Sequence, residues 1–162
     1  MLLERVYQLE RDGKASIIPG IYSFFWDTDV LTAGITLVRS NTIQSDSHFI
    51  SRYVNIATYT GGASLVLSTA TAPLEIQLVD TGSGRFLFDD FVPIQTVCGG
   101  VAAGAGNGLL PFIWPEPWLI RAGGTCQCQI KNISAATVSR VKVVLIGLKV
   151  YPLRGTLSDL GL

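Results

Sequence analysis

Short segments in which apolar and polar residues alternate recur from residue 21 onward and predict β-strands rather than helices. Residues 74–79 alternate, and turn-forming residues at 80–84 separate them from a second apolar segment, so 74–88 is predicted to form a hairpin. The longest predicted strand, 140–151, begins by alternating and then becomes apolar on both faces. Such a strand either lies in the covered centre of a sheet or contacts another subunit.

The predicted strands are short, separated by turns and interrupted by no convincing helix. About eight of them are expected, which is typical of an all-β, antiparallel β-sandwich or barrel. Within 49–59, the alternation places Ile50, Val54 and Ile56 on one face and Tyr53 on the other. A further strand is predicted over 92–97.

The N-terminal segment differs from the rest of the chain. Residues 1–20 are predicted to form an arm, and 21–162 a single sandwich domain. Within the arm, residues 2–14 predict a short amphipathic helix because apolar side chains fall near helical spacing at Leu2, Val6 and Leu9. A helix this short is unstable alone, so it must dock on its own sandwich or on a neighbour. Residues 17–20 are predicted to form a turn.

The composition is apolar for a single domain of 162 residues: 48% of the residues are hydrophobic, 15% are charged and the formal net charge is zero. A disordered chain is excluded, because disorder requires low hydrophobicity and high net charge. No global positive field attracts nucleic acid. So much apolar content predicts that part of the outer surface is covered by other subunits.

Cysteine and histidine usage predicts neither a metal nor a cofactor. The chain has three cysteines, Cys98, Cys126 and Cys128, and its N-terminus lacks a long apolar stretch. The odd number and the missing signal peptide favour reduced thiols in a cytosolic assembly compartment. Cys126 and Cys128 share one face of a predicted strand and are expected to be small buried residues. His48 has no second metal-binding residue at the spacing that a metal site requires.

The uncharged segments 53–74 and 91–115 contain too many polar and glycine residues to predict a membrane span.

Two sequence features offer chemistry. Asp80-Thr81-Gly82-Ser83 matches the D-T-G-S signature of aspartic proteases, in which two such loops in a homodimer share a proton. The same residues are turn formers, and the turn is the preferred interpretation. Three tryptophans, Trp26, Trp114 and Trp118, would suit a sugar-stacking platform, although packing in the core or at an interface explains them more simply.

The C-terminal half resembles small virion structural proteins of tailed bacteriophages. The resemblance lies in the proline- and aromatic-rich segment 112–125 with its Ala-Gly-Gly turn, in Asn-Ile-Ser at 132–134, and in the last strand, 141–151. Residues 46–49 and the hairpin at 80–88 resemble the same group.

This resemblance implies a jelly-roll-like sandwich that serves, without enzymatic activity, as a capsid decoration (cement) protein. A neck, collar or tail component, or a carbohydrate-binding module of a tail or fibre, are the alternatives. The implied partners are copies of the chain, as a trimer or higher oligomer, and the major capsid protein or other virion proteins, with no nucleic acid and no membrane. The side chains predicted to contact neighbouring subunits are Leu2, Val6, Leu9, Val101, Leu109, Trp114, Trp118, Val144 and Ile146.

Overall fold

The computed structural model describes residues 1–26, 32–60, 66–67, 74–88, 90–97, 111–133 and 140–162. The strands are β1 (Ala15–Trp26), β2 (Thr36–Thr42), β3 (His48–Thr60), β4 (Val66–Leu67), β5 (Leu74–Asp80), β6 (Arg85–Phe86), β7 (Val92–Pro93), β8 (Phe112–Ile120), β9 (Thr125–Asn132) and β10 (Arg140–Pro152). The helical elements are α1 (Leu2–Arg11), α2 (Ile94–Val97) and a 3₁₀ helix (Leu157–Leu160).

The strands form two five-stranded antiparallel sheets. The first has the order β1-β10-β3, with β8 and β4 along the far edge of β3, and the second has the order β2-β9-β5, with β6 and β7 along the far edge of β5. The pairing is nested, because β1 pairs with β10, β2 with β9, β3 with β8, and β5 with β6 and β7. A long hairpin wrapped in this way is a jelly roll. The predicted antiparallel β-sandwich of jelly-roll type is therefore confirmed.

The main core lies between the two sheets and follows the predicted alternation. In the second sheet Leu74, Ile76 and Leu78 are fully buried, as are Cys126 and Cys128 on the neighbouring strand. The first sheet contributes its inward-facing residues Phe24, Trp26, Phe49, Val54, Ile56, Val141, Val143 and Leu145.

Burial raises the pKa of both the Cys126 and the Cys128 thiol, so neither is a reactive thiolate. Cys98 lies outside the described residues.

A second cluster, here called the helix-side core, forms on the outer face of the first sheet. The helix α1 and the 3₁₀ helix pack there, and the fully or nearly fully buried members are Val6, Ala15, Ile50, Val150 and Leu160. The predicted N-terminal helix is confirmed, and it docks on its own sandwich.

Two predicted boundaries are wrong. The turn predicted at 17–20 is part of β1, which begins at Ala15. Because β1 lies at the edge of its sheet, Pro19 is tolerated within it. The strand predicted over 92–97 is only the two residues of β7, followed by the helical turn α2.

The predicted face of Ile50 is also wrong. Ile50 packs in the helix-side core, whereas Val54 and Ile56 lie in the main core on the opposite face of the sheet. The cause is a bulge at Arg52: Gly147 pairs with Ser51, the preceding Ile146 pairs with Tyr53, and Arg52 has no partner in β10. One extra residue reverses the side-chain alternation of the strand.

Candidate functional site

The outer face of the first sheet is covered by helix only over part of its length. Ala15, Ile17, Ile50, Leu119 and Val150 lie beneath α1 and the 3₁₀ helix in the helix-side core. Beyond them the same four strands continue, and no other described element packs on that face. This uncovered part of the sheet is the candidate site.

Four apolar side chains form one row across the uncovered face. The strand register pairs Ile21 with Ile146, Ile146 with Tyr53, and Tyr53 with Ile113, so the row crosses β1, β10, β3 and β8 in turn. With neighbouring strands about 4.8 Å apart, it is about 14 Å long. Its two ends are the most exposed, since Ile21 is 65% and Ile113 is 64% accessible to solvent. We call these four residues the apolar row.

Alternation along each strand explains why the row points outward. Leu145 and Val54 are fully buried in the main core, so their neighbours Ile146 and Tyr53 project from the opposite face. The bulge at Arg52 is essential to this arrangement, because it moves Tyr53 to the face on which Ile50 lies. The central position of β10 in its sheet is one of the two predicted causes of its double-sided apolar character, whereas contact with another subunit stays a prediction.

Polar, charged and apolar side chains border the row. The next register line joins Ser23, Val144 and Asn55, and the following one joins Phe25 to Lys142. The guanidinium carbon of Arg52 lies 5.3 Å from the centroid of the Tyr53 ring, within cation–π distance. An exposed apolar patch on a sheet face is typical of a protein–protein contact.

The structure separates the residues predicted to contact other subunits into groups. Val144 and Ile146 lie on the uncovered face. Leu2 and Leu9 pack against the helix-side core, where Val6 is fully buried by its own chain and has no surface to offer a neighbour. Trp114 is buried in the main core, and Trp118 packs partly against that core. Val101 and Leu109 lie outside the described residues. Subunit contact by the accessible side chains stays a prediction.

Three members of the apolar row, Ile21, Tyr53 and Ile113, are not among the residues predicted from the sequence to contact other subunits. Ile21 and Tyr53 fall in predicted strands, and their alternation with core residues is a signal that they face outward. Nothing local to Ile113, in a segment rich in proline and tryptophan, links it to residue 21. That link depends on the pairing of strands distant in the chain.

Asp80 stabilises its own hairpin turn. Its carboxylate accepts hydrogen bonds from the backbone N–H of Gly82 at 3.0 Å and from the hydroxyl of Ser83 at 2.6 Å, and the side chain is only 7% exposed. Asp80 pairs with Arg85 in the register of β5 and β6, as in the predicted hairpin. These contacts are typical of a turn aspartate, and they favour the turn interpretation over the catalytic one.

Neither a metal cluster nor a spanning helix is found in the described parts of the chain. No three histidine, cysteine, aspartate or glutamate side chains there are grouped to hold a metal ion. Within the same ranges, no helix has both the length and the hydropathy needed to cross a membrane.

No protein-family model matches the sequence, and no curated protein matches it either. Similar solved structures include the VP2 subviral particle of infectious bursal disease virus, with 13% identity, a TM-score of 0.34, and coverage of 88% of this chain and 37% of that chain. Another is that of T=1 particles derived from infectious bursal virus, with 14% identity, a TM-score of 0.33 and the same coverage. The chain thus spans 37% of the length of these chains. With TM-scores this low, the jelly roll is defined by its strand pairing rather than by this likeness.

Proposed function

We propose that this chain is a non-enzymatic structural protein of a virion, a decoration (cement) protein on the capsid of a tailed bacteriophage. Jelly rolls recur in viral capsid proteins, although also in lectins and cupins, so the fold supports the proposal without deciding it. The sequence resemblance to small phage virion proteins supports it further. The observation that carries the proposal is the apolar row, an exposed line of large apolar side chains across four strands.

A second copy of the chain is the proposed occupant of the apolar row. A two-fold axis through the middle of the row would place Ile21 against the partner's Ile113 and Ile146 against the partner's Tyr53, so the row is complementary to itself. Because the formal net charge is zero, two copies of the chain do not repel one another at long range. Higher oligomers and the contact with the capsid shell would use further surfaces.

The first experiment measures the oligomeric state of purified protein by sedimentation velocity over a range of concentrations. The wild-type chain is expected to associate, and Ile21→Asp or Ile113→Asp is expected to weaken association at least about tenfold, because each buries a charge in the contact. Ile18→Asp is the matched control: Ile18 lies on the same strand β1, is 49% exposed, and is not part of the row. A wild-type monomer at the highest attainable concentration, or equal effects of Ile18→Asp and Ile21→Asp, would contradict the proposed contact.

The second experiment locates the chain in intact particles by electron cryomicroscopy. Density for the jelly roll on the outer surface of the capsid shell is the expected result. Density confined to the neck, collar or tail would replace the decoration role with the alternative structural role. Particles without the chain would overturn the proposal.

A further inference from the structure

A cavity of about 740 Å³ opens at one end of the sandwich, and none of the four residues of the apolar row lines it. It lies between the turn that joins β5 to β6 and the turn that joins β8 to β9, and its volume is within the range of small-molecule sites. The lining residues used below are Asp80, Ser83, Arg85, Trp118, Arg121 and Gly123.

The two turns that form the cavity are held in place by backbone hydrogen bonds. Thr81 donates from its backbone N–H and from its hydroxyl to the carbonyl oxygen of Thr125, each at 2.9 Å. On the other side, Gly123 donates to the carbonyl oxygen of Ile43 at 3.2 Å, and Ile43 donates to that of Gly124 at 2.8 Å. The cavity is therefore preformed, which lowers the entropic cost of binding a ligand.

The charged groups at the cavity favour an anion. Arg85 begins β6 directly after the first turn, and Arg121 lies in the second turn. Both residues are exposed, and in the described part of the chain neither forms an ion pair. The one lining carboxylate, that of Asp80, is already occupied by the amides of its own turn and by the Ser83 hydroxyl. Two arginines that line one cavity are suited to a carboxylate, which arginine binds through paired hydrogen bonds.

The uncharged residues that line the cavity favour a ligand in which the carboxylate is attached to a sugar ring. The indole of Trp118 packs partly against the main core and also lines the cavity, so it offers an apolar surface beside the two arginines. A pyranose ring has an apolar face that packs on an indole and a hydroxylated rim that requires polar partners such as Ser83. We propose that the cavity binds a carboxylated sugar, with Arg85 and Arg121 on the carboxylate and Trp118 beneath the ring.

The experiment titrates the whole chain with glucuronic acid, N-acetylneuraminic acid, glucose and inorganic phosphate, and follows binding by protein NMR. At least one acidic sugar is expected to shift signals of residues around the cavity and to bind more tightly than glucose. Arg85→Gln and Arg121→Gln should each weaken that binding at least about tenfold, because each removes a charge-assisted pair. Arg154→Gln, which changes an exposed arginine outside the cavity, is the matched control and should leave the affinity unchanged.

Three results would overturn the proposal: no binding of either acidic sugar, equal binding of glucose and the acidic sugars, or binding of phosphate alone. Trp118→Phe separates ring packing from simple attraction of anions, since it should weaken sugar binding and leave any phosphate binding unaffected. The inference does not depend on the proposed assembly. The Ile21→Asp variant should bind the sugar as wild type does, so failure of one proposal is distinguishable from failure of the other.

Discussion

Gly147 in β10 lies directly against the backbone of Ile50 in β3, and a β-carbon at position 147 would overlap the carbonyl oxygen of Ile50. This close approach coincides with the register shift between the two strands, where Arg52 is the extra residue. Gly147 therefore makes the bulge possible, and the bulge brings Tyr53 into the apolar row. A single glycine links the packing of the sheet to the surface proposed for assembly.

Gly147→Ala is expected to destabilise the fold by about 1–3 kcal/mol, because the added methyl group must displace the backbone of β3. The free energy of unfolding, measured by chemical denaturation, checks this. Gly82→Ala is a suitable control, since its new β-carbon would lie 3.3 Å from the nearest atom, the Oδ1 of Asp80, and should cost less. Equal stability of wild type and Gly147→Ala would contradict the close approach.

The indole N–H of Trp114 donates a 3.0 Å hydrogen bond to the hydroxyl of Ser51 inside the sandwich. Ser51→Ala leaves that buried donor without its acceptor and is expected to lower the free energy of unfolding by about 1–3 kcal/mol. In a Trp114→Phe background the donor is absent, so Ser51→Ala should cost much less. Additive effects in this double-mutant cycle would show that the two side chains are not coupled.

His48 is expected to make stability depend on pH. Its Nδ1 accepts a hydrogen bond from the backbone N–H of Ala122 at 3.1 Å, so Nε2 carries the proton and faces the carbonyl oxygen of Leu157 at 3.4 Å. Burial lowers the pKa of His48 below its ordinary value of 6.5, and the nearby Arg121 contributes in the same direction. The neutral ring is the form that fits this environment.

Because the folded state binds the proton more weakly than the unfolded state, the free energy of unfolding should decrease as pH falls from 6.5 toward the lowered pKa. Above pH 6.5 this contribution is constant. Denaturation at a series of pH values tests the slope, and His48→Gln should remove the part due to this residue. The chain has one histidine, so a single imidazole signal in NMR gives its pKa directly. A value above 6.5 would contradict the prediction.

Docking of α1 is expected to contribute to stability through Val6, which is fully buried in the helix-side core. Val6→Ala should lower the free energy of unfolding by about 1–3 kcal/mol, from lost apolar burial and the cavity left behind. Glu10→Ala, at an exposed position of the same helix, is the control and should change stability by less than about 0.5 kcal/mol. If both substitutions had the same small effect, the helix would not be firmly docked.

Local patterns in the sequence determined most of the strands, their inward-facing residues and the N-terminal helix. Leu74, Ile76 and Leu78 are buried as their alternation predicts, because side chains on a strand point to opposite faces in turn. Composition also predicted an apolar surface in excess of what one domain covers. The double-sided apolar pattern of 140–151 indicated two members of the uncovered face, Val144 and Ile146.

Only the tertiary structure decided which residues meet on that face. Ile21 and Ile113 are 92 positions apart in the numbering and join one row because β1, β10, β3 and β8 are neighbours in the sheet. Strand pairing depends on contacts across the whole chain, which no periodicity within a segment records. The bulge at Arg52 likewise depends on how Gly147 fits against Ile50, so the sequence alone placed Ile50 on the wrong face.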